Sequence, residues 1–157
     1  RGGIVDEDAV IQSLDAGHLG SYVCDFPSNQ NRHHPKVTAL PHLGASTGEA
    51  EQNCAVMVAE NLREFLENGN IRHSVNFPET IMPRTEGFRI TVSNLNVPNM
   101  VGQISTLLAK ASLNIIDLLN KSRGEIAYTV VDVEAPIAAE TISAISDIDG
   151  VLNVRAL

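Results

Sequence analysis

Apolar positions follow two rhythms along the chain, and the change between them falls near residue 83. Beyond it, short alternating or β-branched runs are interleaved with helical stripes; before it, one long helical stripe dominates. Phe88-Arg89-Ile90-Thr91-Val92 alternates apolar and polar, the pattern of a strand with one buried face. The polar stretch Ser93 to Asn99 follows, and Pro98 suits the first turn of a helix whose buried stripe is Val101, Ile104, Leu107/Leu108 and Ala111. Asn114 to Leu119 predicts a second strand, Lys121 to Glu125 a hairpin loop with a glycine, and Ile126 to Val133 a third strand. Pro136 and Ile137 lead into a helix with Ile142 and Ile145 inward. Gly150 stops that helix, and Val151 to Arg155 closes as a fourth strand. The order βαββαβ is that of a ferredoxin-like unit, with both helices on one face of an antiparallel sheet. The other face, or the edges, remain to pair with a second copy.

The first part reads differently. Asp6 can cap a short helix with Val10, Ile11 and Leu14 on its apolar face and Gly17 at its end. Ser21 to Phe26 predicts a buried strand with Asp25 at its C-terminal edge, and Val37 to Leu40 a second strand leading to His42. Open α/β sheets bind ligands at such edges, so Asp25 and His42 are candidates for one rim of a parallel sheet. Ser46 and Glu49 have capping-box spacing. They precede a helix from about 47 to 67 carrying Cys54, Met57, Val58, Leu62 and Phe65/Leu66, stopped by Asn68-Gly69-Asn70. Ser74 to Arg84, rich in proline, reads as an extended linker. The fold class is therefore α+β. Residues 1–82 form a remnant of a parallel α/β sheet plus the long helix and linker, and residues 83–157 form the ferredoxin-like domain. Residues 1 to about 44 would lack strand partners and are expected to be poorly ordered, rearranged or held by another copy. The long helix would expose Val58, Leu62 and Phe65, which favours self-association.

Composition narrows the functions. The 157 residues carry a net charge of −8 without a basic cluster, which argues against nucleic acid or an anionic membrane as partner. No apolar run approaches the roughly 20 residues that span a bilayer. The start lacks both a signal-peptide pattern and an initiator Met, so the chain is expected to begin inside a longer protein. Cys24 and Cys54, both in apolar contexts, read as buried thiols of a reducing cytoplasm and not as a disulfide framework. His18, His33, His34 and His73 show no metal-ligand spacing, and no metal is expected. His42, in Pro41-His42-Leu43-Gly44-Ala45-Ser46-Thr47, can exchange a proton near neutral pH; the bland alternative is a solvated loop residue.

Arg1-Gly2-Gly3-Ile4-Val5-Asp6-Glu7, Asp25-Phe26-Pro27, the run from Pro41 to Thr47, Val75-Asn76-Phe77-Pro78 and the terminal βαββαβ unit occur in that order. Over essentially the whole chain this resembles the C-terminal part of the D-2-hydroxyacid dehydrogenase family. The likeness is to members that oxidise 3-phosphoglycerate with NAD in L-serine biosynthesis and end in an ACT-type regulatory domain. The resemblance implies that His42 is the general acid/base, that Arg1 binds the substrate carboxylate, and that Asp25 contacts the nicotinamide side of NAD. A frayed end for Arg1 and a turn cap for Asp25 are the bland alternatives. It also implies that Asn96 and Asn114 grip L-serine, or another small amino acid, across an interface between two subunits. A helix cap for Asn96 and a turn residue for Asn114 are weighed equally. Three departures stand out: no acid lies between Asp25 and Glu49 to partner His42, Asn99 stands where the family commonly has glycine, and no Gly-x-Gly-x-x-Gly follows a strand. The parent is thus read as an NAD-dependent enzyme. This chain is read as its regulatory and oligomerising portion, inactive alone and without bound NAD. A non-catalytic amino-acid-binding module and a purely dimerising one are the alternatives.

Overall fold

A computed structural model describes residues 3–157. The chain forms two compact units, one ending at Ala55 and the other running from Val56 to Leu157. In the first unit, Asp6 Oδ1 accepts the Ala9 amide at 3.1 Å and starts helix α1, Glu7–Asp15. Gly17, at φ +74°, turns the chain out of that helix. Strands β1 (Tyr22–Cys24) and β2 (Val37–Ala39) pair in parallel, Tyr22 opposite Val37, and among the described residues they form a sheet of two strands. Leu14 is fully buried, and Lys36 Nζ donates to its carbonyl.

Helix α2, Gly48–Asn68, crosses from the first unit into the second. Its cap is Thr47, whose Oγ1 accepts the Ala50 amide at 3.1 Å, and not the expected Ser46. The Ser46 amide donates instead to the Leu43 carbonyl, which holds Ser46 in the preceding turn. Val58 and Leu62 are exposed, as their isolated stripe predicts, whereas Phe65 is half-buried.

The second unit contains β3 (Phe88–Leu95), α3 (Met100–Lys110), β4 (Ile115–Arg123), β5 (Ile126–Val133), α4 (Ala139–Ser146) and β6 (Val151–Ala156). The strands form one antiparallel sheet in the order β4-β5-β3-β6, the arrangement that βαββαβ demands. Alternation along β3 and β5 sends Ile90, Val92, Val131 and Val133 to one face. There they pack with Met100, Ile104, Leu108 and Ile145 from the two helices. The hairpin between β4 and β5 is tighter than expected: the strands reach Arg123 and Ile126, leaving Gly124 at φ +59° in the turn.

The opposite face presents Arg89, Thr91, Tyr128, Val130 and Asp132, all buried. The stretch read as an extended linker covers it. Ile71 and Thr80 form an antiparallel bridge, and Ile71 and Met82 pack with Tyr128 and Val130. The prolines suggested extension, but the sheet supplies partners that a local reading cannot see. Arg89, fully buried, makes a forked pair with Asp132, Nε to Oδ1 at 2.6 Å and Nη2 to Oδ2 at 2.8 Å. Its remaining donors reach the carbonyls of Asn68 (2.8 Å), Met82 (2.9 Å) and Pro83 (2.8 Å). Gly69, at φ +69°, ends α2 with its amide on the Phe65 carbonyl, and a Cβ there would lie 2.4 Å from Thr91 Cγ2.

Burial pushes the Asp132 carboxyl up, but the Arg89 guanidinium and the Thr85 hydroxyl outweigh it and hold it below its ordinary range. A depressed carboxyl contributes stability that is full above the ordinary carboxylate pKa and is lost as pH falls through the lower folded value. Urea denaturation should therefore find stability level from neutral pH down to about pH 5 and falling in stronger acid. Asp132→Ala strands a buried guanidinium and should cost about 3–5 kcal/mol, removing part of that acid dependence. A cost within the range of ordinary surface substitutions would contradict the account.

Candidate functional site

Two groups of candidate side chains take shape, one in each unit. In the first unit, parallel pairing in register brings the ends of β1 and β2 side by side, and the Leu40 amide donates to the Cys24 carbonyl at 2.8 Å. Asp25 follows β1 directly, and His42 comes three residues after the end of β2. His42 Nδ1 lies 3.0 Å from Asp25 Oδ2, and the Phe26 ring meets the imidazole edge-on at 5.5 Å. The carboxylate thus lies beside Nδ1, and Nε2 is the ring nitrogen turned away from it. Both side chains are about half exposed, 57% for His42 and 49% for Asp25, so the pair is accessible from solvent. The sequence placed both residues on one rim but left His42 without an acid; the carboxylate beside it is that of Asp25 itself. Arg1 lies outside the described residues. Cys24 and Cys54 are both free thiols, but neither is buried as expected: Cys24 is half-buried and Cys54, on α2, is exposed. Among the described residues no cluster of His, Cys, Asp or Glu could hold a metal ion.

In the second unit, the end of β3 and the β3–α3 connection carry three asparagines with different surroundings. Asn96 does not cap α3: its Nδ2 donates to the Gly124 carbonyl at 3.1 Å and its amide to Glu125 at 2.8 Å, tying the connection to the β4–β5 turn. Asn99 takes the capping position at φ +65°, the left-handed conformation that glycine adopts freely, without a side-chain capping bond. It can fold back over the helix start because residue 102 is glycine; a Cβ there would come within 2.3 Å of Asn99 Oδ1. Asn94 was missed by the sequence reading. It is 1% exposed; its Nδ2 donates to the Leu95 carbonyl at 2.7 Å and its Oδ1 has no partner. The available signal was parity: Ile90 and Val92 point to the helices, so the next inward position of β3 is Asn94, a polar residue facing an apolar layer.

Asn94, Asn96, Asn99 and Asn120 line a cavity of about 150 Å³ at this end of the sheet. Asn120 Nδ2 donates to Thr129 Oγ1 at 2.7 Å. Asn114 is not part of the cavity. It is exposed, immediately before the far end of β4, where its carbonyl accepts the Glu134 amide at 3.1 Å. One chain thus keeps Asn96 and Asn114 at opposite ends of a nine-residue strand.

No protein-family model matches the chain. Among curated proteins, it is 33% identical over 169 residues to D-3-phosphoglycerate dehydrogenase of Haemophilus influenzae, covering 100% of this chain and 41% of that protein. The enzyme of the same name from Escherichia coli is 29% identical over 170 residues, covering 100% of this chain and 42% of that protein. The chain therefore spans about two-fifths of the length of the curated relatives it matches. Among solved structures, the ACT domain of GTP pyrophosphokinase from Chlorobium tepidum aligns with 46% of this chain and 100% of its own, at 17% identity and a TM-score of 0.40. The regulatory subunit of aspartate kinase from Thermus thermophilus aligns with 44% of this chain and 50% of its own, at 14% identity and a TM-score of 0.37.

The orphaned Asn94 oxygen leads to a stability test. An unsatisfied buried acceptor costs about 1–3 kcal/mol, which offsets the hydrogen bond and packing lost on truncation. Asn94→Ala should therefore change unfolding free energy by less than about 1 kcal/mol, whereas Ile104→Ala, a dry core truncation, should cost about 2–5 kcal/mol. Equal losses in the two variants by urea denaturation would mean that Asn94 is satisfied.

Proposed function

We propose that this chain, homologous along its whole length to the C-terminal part of D-3-phosphoglycerate dehydrogenases, is the regulatory and oligomerising portion of such an enzyme and also carries its proton-transfer histidine. The observation that supports the regulatory reading best is the unpartnered Asn94 oxygen in an asparagine-lined cavity. An amino acid brings an ammonium group to donate to that oxygen and a carboxylate to accept from asparagine amides. The second half of the site comes from a second copy. Strand β4 is an edge strand, and two β4 strands paired antiparallel about their middle set Asn114 of one copy near Gly124 of the other, where Asn96 is anchored. L-Serine is the effector that this reading names, and the homo-oligomer is part of the site.

His42 supplies the catalytic half of the reading. Asp25 holds Nδ1 and fixes the ring, so Nε2 can take the proton of a secondary hydroxyl as the carbon is oxidised. Arg1 would hold the substrate carboxylate of 3-phosphoglycerate, with Asp25 contributing on the nicotinamide side. NAD is the oxidant of the parent reaction, but these residues do not form its cradle: the connections after β1 and β2 contain no Gly-x-Gly-x-x-Gly. The chain alone is therefore read as inactive. Free thiols suit a cytoplasmic enzyme, and no helix among the described residues is long and apolar enough to cross a membrane.

Calorimetry with L-serine should give saturable heat that is lost in Asn114→Ala and in Asn96→Ala, with sedimentation showing an oligomer. Absence of heat at millimolar serine would favour the purely dimerising role. In the parent-length enzyme, His42→Asn should lower kcat by about 10²–10⁴-fold, and this chain alone should not reduce NAD with phosphoglycerate.

A further inference from the structure

The sheet face turned away from α3 and α4 is only partly covered by residues 69–83. Beside that covering, within the second unit, lies a cavity of about 440 Å³, inside the range of roughly 300–1,000 Å³ typical of small-molecule sites. Its walls are apolar where Leu62 and Phe65 of α2 face Ile71 and Phe77 of the covering segment. Its floor is polar where Ser93 and Arg155 rise from the sheet.

Arg155 gives this cavity its chemical sense. Its guanidinium lies 4.6 Å from the Phe65 ring centroid and donates only to backbone carbonyls, Phe65 at 3.3 Å and Leu66 at 3.1 Å. Among the described residues the ion pairs are His34–Asp15, His42–Asp25 and Arg89–Asp132, so Arg155 has no carboxylate partner. Five N–H groups and two bonds leave donors over. A half-buried cation without a counter-charge at the floor of an apolar cavity, in a chain of net charge −8, is complementary to one anionic head on an apolar body.

We propose that this cavity is a second ligand site, for an amphipathic monocarboxylate of medium chain length. The carboxylate pairs with Arg155 beside Ser93, and the alkyl body lies between Leu62, Phe65, Ile71 and Phe77. The site is on the opposite sheet face from the asparagine-lined cavity and does not depend on serine binding there.

Sodium octanoate is the probe, with 1-octanol for the body alone and acetate for the head alone, each titrated into the chain by calorimetry and amide NMR. Octanoate should bind saturably, one per chain, shifting the amides of Leu62, Ile71 and Phe77, with octanol at least about tenfold weaker and acetate silent. Leu62→Glu, at a position 55% exposed and therefore tolerant in folding, should abolish octanoate binding. Arg155→Gln, with helix content checked by circular dichroism, should remove the preference for octanoate over octanol. No saturable binding at millimolar octanoate, equal binding of octanol, retention of binding in Leu62→Glu, or a second copy that fills the groove and is not displaced would each overturn the proposal.

Discussion

The buried pair of Arg89 and Asp132 is the interaction on which the second unit's open face depends. Two opposite charges without solvent access are favourable only when their remaining hydrogen-bonding capacity is met. Asp132 gains the Thr85 hydroxyl at 2.8 Å, and Arg89 gains three carbonyls outside the sheet. Those carbonyls belong to the end of α2 and to residues 82 and 83. The need to satisfy one guanidinium therefore fixes where a helix stops and where the following segment must lie. Tyr128 adds its hydroxyl to the Gly69 carbonyl at 2.9 Å, and Arg155 adds the Phe65 and Leu66 carbonyls. Side chains from three strands thus supply the donors that the last turn of α2 lacks, and two of them are cations at the negative end of its dipole.

The two faces of the sheet obey different rules. The face toward α3 and α4 is dry and aliphatic, and its one polar intrusion among the inward positions of β3 is Asn94. The other face combines Val130 and Tyr128 with an ion pair and Thr91, and it is closed by a strap instead of helices. In a dry layer a polar atom without a partner stands out, which is why the Asn94 oxygen carries the proposed effector site. On the mixed face the polar atoms are largely satisfied, and the informative feature is a cation lacking an opposite charge.

Local patterns carried the second unit's topology. Alternation in Phe88 to Val92 and the β-branched run Ile126 to Val133 act within a few residues, so the strand sequence and the two helices could be read directly. The pairing of His42 with Asp25 followed from two strand ends expected on one rim, although the sequence offered no way to know that the carboxylate would turn toward the imidazole. The covering segment was misread because its order comes from partners up to about 60 residues away, such as Tyr128 for Gly69. Ser46 looked like the cap because its spacing to Glu49 fits the box, yet a turn from Leu43 moves the helix start one residue on. Asn96 failed as a cap for a similar reason: its partner, the Gly124 carbonyl, lies in another hairpin.

The anchoring of α2 has a mechanical consequence. A helix of 21 residues is about 30 Å long, and its C-terminal turn is bonded to β3, β5 and β6 at once. Within the second unit such a rod is a lever whose fulcrum is the sheet: over the part from Val56 to Asn68, about 20 Å, a tilt of about 5° at the anchored end carries the far end roughly 1.7 Å. Stiffness at the root, not slack in a tether, sets how far a small shift among the strands is amplified.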